Sequence, residues 1–127
     1  MESYVDKRCA SWYGKFDSTV ADLHEDYLRP QENGSHYGCD FVTVQGEGCS
    51  LAVLSEEPFS FNASLYTQEE LENKAHNYEL EESGSTVLCL DYAQNGIGSA
   101  SCGTTLIEDY ALMDTEMEFT LRLVPGK

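Results

Sequence analysis

The chain has 127 residues, 41% of them hydrophobic, with 8 tyrosines and 5 phenylalanines. That is enough for one folded domain with a core, and it excludes a disordered polypeptide. With 23 acidic side chains against 7 basic ones, the net charge of −16 repels phosphate backbones and anionic lipid heads. It excludes nucleic acid and membrane surfaces as partners and leaves neutral ligands or protein surfaces.

Residues 1–26 lack sustained alternation. Trp12, Tyr13 and Phe16 cluster around Gly14 and predict a loop-rich arm that packs its rings on a sheet. Tyr27–His36 reads Y-L-R-P-Q-E-N-G-S-H. Pro30 sets an extended approach there, and Asn33-Gly34 signals a turn. Phe41–Gln45 predicts a short strand with Val42 and Val44 on one face, and Gly46-Glu47-Gly48 predicts a turn. Cys49–Ser55 is more apolar than alternating, which predicts a strand covered on both faces. Pro58 opens a further strand, Phe59–Leu65, where Phe59, Phe61, Ala63 and Leu65 point one way and Ser60, Asn62 and Ser64 the other.

Thr67 and Glu70 have capping-box spacing and predict a helix from Gln68 to about His76. Thr86–Tyr92 reads as a strand. Met117, Phe119, Leu121 and Leu123 alternate with Glu118, Thr120 and Arg122 and predict a half-buried strand that Pro125-Gly126 stops. About five or six strands with one short helix near 68–76 predict an all-β, antiparallel β-sandwich or part of one. The first quarter supplies few strands, so residues 37–124 make a thin sandwich. Residues 1–127 read as a single domain.

One stretch organises the rest. Asp91–Gly103 reads D-Y-A-Q-N-G-I-G-S-A-S-C-G, a strand running into a compact loop with glycines at 96, 98 and 103. Such a loop is either a surface turn or the lining of a ligand cavity. Chemistry is sparse elsewhere. The acidic pairs Glu56-Glu57, Glu69-Glu70, Glu81-Glu82 and Glu108-Asp109 sit in turns or on a helix face among other acids, which marks a solvated surface. No EF-hand loop, nucleophile elbow or C-x-x-C pair is present. Cysteines at 9, 39, 49, 89 and 102 are odd in number and read as free thiols of a reducing, cytoplasmic compartment. No apolar window matches a membrane span, and residues 1–8 lack the apolar core of a signal peptide.

The stretches Y-L-R-P-Q-E-N-G-S-H (27–36) and N-G-I-G-S-A-S-C-G (95–103) resemble the C-terminal domain of bacterial glycoside hydrolase family 2 β-galactosidases. So do E-S-Y-V-D (2–6), F-S-F-N-A-S-L-Y-T-Q-E-E-L (59–71) and V-L-C-L-D-Y (87–92), in collinear order across the chain. The resemblance implies a supersandwich of the galactose-mutarotase-like type, truncated at its N-terminal side. It implies a C-terminal fragment of a larger multidomain enzyme, with Met1 an added start. The family hydrolyses terminal β-D-galactosides with retention, using a glutamate pair on a barrel outside these residues. No catalytic residue is therefore implied in this segment, and the family's magnesium and sodium belong to that barrel. The implied role is to complete one wall of the active site and to pack against the rest of the β-galactosidase chain, in an enzyme that also self-associates as a homo-oligomer.

In one branch of the family the loop after G-I-G carries a tryptophan of the sugar site, and Cys102 is its nearest counterpart here. Another branch reads G-x-G-S-x-S-C-G-P, with Thr104 standing here in place of the proline. The resemblance implies that Ser101, Cys102 and Gly103 line the galactoside pocket. Glu32, Asn33 and Gly34 match a signature best read as a structural turn. Two other readings stay open: a stand-alone carbohydrate-binding module using Trp12, Tyr13, Tyr37 and Tyr66, and a purely structural assembly domain.

Overall fold

The computed structural model of the chain describes residues 12–95 and 104–127. The described strands form one antiparallel sheet. Strand β1 (His36–Gly46) returns through a two-residue turn, Glu47-Gly48, into β2 (Cys49–Ser64). Gly48 takes φ 71 there, a conformation that glycine adopts without steric cost. Strand β2 is the spine, with β1 along one of its edges. Its other edge is shared: β3 (Val87–Asp91) pairs with Ser60–Ser64, and β4 (Arg122–Gly126) pairs with Ser50–Leu54.

Strand β2 joins what the sequence presents as two strands. Cys39 pairs with Phe59 and Phe41 with Leu54, so Ser55–Pro58 lie opposite Asp40 alone. This wide bulge absorbs Pro58 where no ladder N–H is needed. The Ser55 hydroxyl fastens it, accepting from the Glu57 N–H at 3.3 Å and donating to the Thr120 carbonyl at 3.1 Å. The same bulge corrects the last expected strand. Arg122 pairs with Leu54, and the next residue along β2, Ser55, which would face Leu121, lies inside the bulge. Residues 117–121 therefore have no straight edge to pair with, and β4 covers Arg122–Gly126 instead of 117–123. Pro125 and Gly126 lie within it, as an edge strand permits.

The helix is shorter than its sequence pattern. Helix α2 spans Gln68–Asn73, with Thr67 Oγ1 accepting the Glu70 N–H at 3.1 Å. It stops because Lys74 turns extended and the Glu79 carboxylate takes the N–H groups of Ala75 and His76 at 3.1 and 3.0 Å. A single turn of helix, α1 (Val20–Leu23), precedes the sheet. Its cap, Thr19, accepts the Asp22 N–H at 3.2 Å, and this Thr-x-x-Asp spacing was a readable signal.

Among the described residues the core is small: Val53, Phe59, Ala63 and Leu71. The period of two in 59–65 is kept, yet Ser60 and Asn62 are buried as well. Asn62 and Ser64 share a face with Cys89 and Val87 by register, and residues 24–33 with α2 lie over that face around a common small cavity. This layer is loop and helix. The all-β, antiparallel class holds, and a second sheet packed on the first is not formed among the described residues. The aromatic arm is a correction: Trp12, Tyr13 and Phe16 are 86%, 85% and 70% exposed. The hold of this arm on the sheet is polar, through the Tyr13 hydroxyl donating to the Asp40 carboxylate.

Candidate functional site

The expected pocket residues Ser101, Cys102 and Gly103 lie outside the described residues. The approach to them is described. Strand β3 ends at Asp91, and the chain continues through Gln94 and Asn95 toward the glycine-rich stretch.

The signature Glu32-Asn33-Gly34 meets this approach. The Asn33 carboxamide acts as a staple. Its Oδ1 accepts from the Glu25 N–H at 3.0 Å, and its Nδ2 donates to the carbonyls of Glu25 and Gln31 at 3.1 and 3.0 Å. Three of the four bonds available to an amide are thus used to close the 25–33 loop. The Asn33 carbonyl accepts from the buried Asn62 Nδ2 on β2, tying that loop to the sheet. Gly34 follows at φ 78, and a Cβ there would stand 2.9 Å from the Leu23 carbonyl oxygen. Only glycine fits. Ser35, buried, then donates from its hydroxyl to Gln94 Oε1 at 3.0 Å, and Gln94 Nε2 donates to Asp91 Oδ2 at 2.7 Å. A bond to a carboxylate is the stronger kind of amide contact.

Two concavities lie beside this network. The enclosed one, lined by His24, Glu32, Asn33, Asn62, Tyr66 and Cys89 among others, has a volume of about 10 Å³. That is room for one water and not for a sugar. The other is an open depression of about 420 Å³ over Arg29–Glu32, Gln68, Leu71 and Glu72. Gln68 bridges the walls, its amide 3.4 Å from both Glu32 carboxylate oxygens and 3.6 Å from Cys89 Sγ.

Burial, then the Glu32 and Asp91 charges, push the Cys89 thiol up from its ordinary value. Burial and Asp40 do the same to Cys39. Both are held as neutral thiols, the opposite of an activated nucleophile. No group of three or more histidine, cysteine, aspartate or glutamate side chains converges as a metal would need among the described residues. No described helix is long and apolar enough to cross a membrane. Among the aromatics weighed for sugar binding, Tyr66 is half-buried and set edge-on to His24, with ring centroids 5.1 Å apart. It belongs to the interior and presents no open platform.

The structure thus joins the two stretches most diagnostic in the sequence, 27–36 and the approach to 96–103, into one hydrogen-bonded unit. Residues 1–123 match the family model described as beta galactosidase small chain. The chain belongs to that family. Similar proteins are named β-galactosidase. Over 126 residues it is 49% identical to a β-galactosidase of Actinobacillus pleuropneumoniae, covering 99% of this chain and 12% of the relative. It is 43% identical over 122 residues to one of Staphylococcus xylosus, covering 95% and 12%. Against the β-galactosidase of Kluyveromyces lactis it is 31% identical over 123 residues, covering 96% and 12%. The chain spans about 12% of the length of these relatives, and the small-chain match runs through both the E-N-G-S turn and the glycine-rich stretch.

Sequence reasoning missed Ser35, Gln94 and Asn62. Asn62 stands at a position whose alternation suggests solvent. Gln94 sits between a strand and a glycine cluster with no pattern of its own. The signal within reach was a strand, Val87–Asp91, ending in a lone carboxylate that needs a donor.

Proposed function

We propose that these residues form the C-terminal domain of a cytoplasmic β-galactosidase polypeptide whose catalytic groups lie elsewhere in it. In this reading the parent hydrolyses terminal β-D-galactosides, and this domain completes one wall of the sugar site with Ser101, Cys102 and Gly103. The observation that carries it is the 49% identity to a β-galactosidase across 99% of the chain. The hydrogen-bonded unit of Asn33, Ser35, Gln94 and Asp91 supports it, because it gives the glycine-rich stretch a fixed origin. Exposed apolar side chains on the sheet, including Phe41 and Leu123, support burial against the rest of the polypeptide or a further copy. The second sheet of the sandwich is then completed by residues outside this chain. The reading assigns no metal or cofactor to this segment.

The test has two arms. The isolated chain, incubated with a chromogenic β-galactoside, gives no turnover; turnover would sink the reading. In the full-length enzyme, Ser101→Val and Gly103→Val raise KM for the galactoside, because bulk is added to the wall. Unchanged KM in both removes the wall assignment. Saturable galactose binding by the isolated chain would instead favour a carbohydrate-binding module.

A further inference from the structure

We propose that Asn33-Gly34 is a modification site held closed by the fold. The Asn33 carboxamide converts to aspartate or isoaspartate, with loss of ammonia, when the 25–34 loop opens and not before. The site lies wholly in that loop and is independent of the wall reading above.

An asparagine followed by glycine is the dipeptide most open to this reaction, because glycine leaves the next backbone nitrogen unshielded by a Cβ. The Gly34 nitrogen forms a bond to the Asn33 Cγ. The Cγ–Nδ2 bond breaks, and Nδ2 leaves as ammonia with the proton that the Gly34 nitrogen sheds. One water then opens the cyclic imide at either carbonyl, giving aspartate or isoaspartate. No electron is transferred and nothing but water is consumed.

The fold opposes each step. Nδ2 donates to two carbonyls, of Glu25 at 3.1 Å and of Gln31 at 3.0 Å. A nitrogen held in this way stays planar and conjugated, and carbonyls have no proton to give it on leaving. At the other end of the carboxamide, Oδ1 accepts the Glu25 N–H at 3.0 Å. The peptide that carries the attacking nitrogen is fixed as well. The Asn33 carbonyl accepts from the buried Asn62 Nδ2, and Gly34 is buried at φ 78, with the Leu23 carbonyl oxygen 2.9 Å from a would-be Cβ. Attack needs the carboxamide and this peptide to turn on each other, so it proceeds from the opened loop.

Conversion is one-way. Aspartate at 33 would set carboxylate oxygens against the Glu25 and Gln31 carbonyls. Isoaspartate would lengthen the backbone by a methylene and lift Gly34 from its seat on Leu23. Each opening of the loop therefore risks a permanent change, and the modified chain keeps a record of past unfolding.

The experiment uses the full-length polypeptide carrying this segment, incubated at neutral pH folded and in urea. Conversion at Asn33 is read by peptide mass and by enzymatic methylation of isoaspartate. It is expected to be at least about fivefold slower in the folded polypeptide than in urea. In urea, Asn95-Gly96, the same dipeptide, should convert alongside it. Asn62→Ala frees the Asn33 carbonyl and is expected to speed conversion in the folded polypeptide by between about twofold and tenfold. Equal rates folded and in urea overturn the proposal, as does a urea-unfolded chain that converts at Asn95 but not at Asn33. Slow folded conversion that Asn62→Ala leaves unmoved puts the protection outside the hydrogen-bonded lock and overturns it too. If Asn62→Ala does not fold, amide exchange at Glu25 decides, because the same opening releases its N–H. Protection lost there in step with Asn33 conversion as urea is raised supports the lock, and an unprotected Glu25 amide beside an intact Asn33 overturns it.

Discussion

The Asn33 side chain grips both backbone groups of Glu25, accepting its N–H at 3.0 Å and donating to its carbonyl at 3.1 Å. A side-chain amide is standing in for a strand partner across eight positions of sequence. Asn33→Ala is expected to cost about 1–2 kcal/mol, the net worth of bonds whose partners regain water. Asn33→Asp should cost at least as much, because a carboxylate would face the Glu25 and Gln31 carbonyls. Urea denaturation midpoints of the two variants check this; an unchanged midpoint for Asn33→Ala contradicts the staple.

Two glycines with the same backbone sign separate conformation from space. Gly34 has φ 78 with the Leu23 carbonyl oxygen 2.9 Å from a would-be Cβ, whereas Gly38 has φ 69 with nothing within 4 Å. Gly38→Ala should cost about 1–2 kcal/mol, the left-handed penalty alone. Gly34→Ala should cost clearly more, since the clash is with backbone that cannot swing aside. Equal losses in thermal denaturation would mean that the close approach carries nothing.

Burial ranks the apolar truncations. Phe59 is 1% exposed and Leu28 is 99% exposed. Phe59→Ala should destabilise by about 3–5 kcal/mol, and Leu28→Ala by less than about 0.5 kcal/mol. Chemical denaturation of both variants tests whether the small core bears the fold.

Glu79 gives a pH signature. Hydrogen bonds from the His76 and Ala75 N–H groups, with the neighbouring His76, hold its carboxyl below the ordinary value of 4.5. A depressed acid binds its proton less readily folded than unfolded. Its contribution is therefore complete above about pH 4.5 and is lost as pH falls through the folded value. The stability gap between the protein and its Glu79→Gln variant should close on acidification from pH 7. A gap that persists at low pH would show that Glu79 does not act through its charge.

The thiols should sort by environment. Cys49 is exposed, while Cys39 and Cys89 are half-buried with thiols pushed up from the ordinary value. In a background with Cys9→Ser and Cys102→Ser, a maleimide at neutral pH should label Cys49 first. Comparable rates at all three sites would contradict the neutral, shielded state of the other two.

Much of the fold was legible because its signals are local. The Gly46–Gly48 turn, the Thr67 cap and the Thr86–Tyr92 strand depend on neighbours within a few positions. What escaped depends on partners far away. Pro58 reads as a strand boundary until Asp40 is seen opposite a four-residue bulge, and 117–121 reads as a strand until that bulge removes its partner. The alternation in 59–65 fixed which side chains share a face but not what lies over each face. The same holds for the site. The E-N-G turn was visible as a turn, while its link to Gln94 joins positions 35 and 94 and leaves no trace in spacing.

The divided edge of β2 bears on how the sheet comes apart. Since β3 and β4 grip separate halves of that strand, peeling away β4 strips one half and leaves the other zipped. Fraying at the carboxyl end is thereby insulated from the corner where Ser35 and Gln94 meet. In amide exchange, those amides of Ser50–Leu54 that bond β4 should then lose protection well before those of Ser60–Ser64 that bond β3, while the ones paired with β1 stay protected.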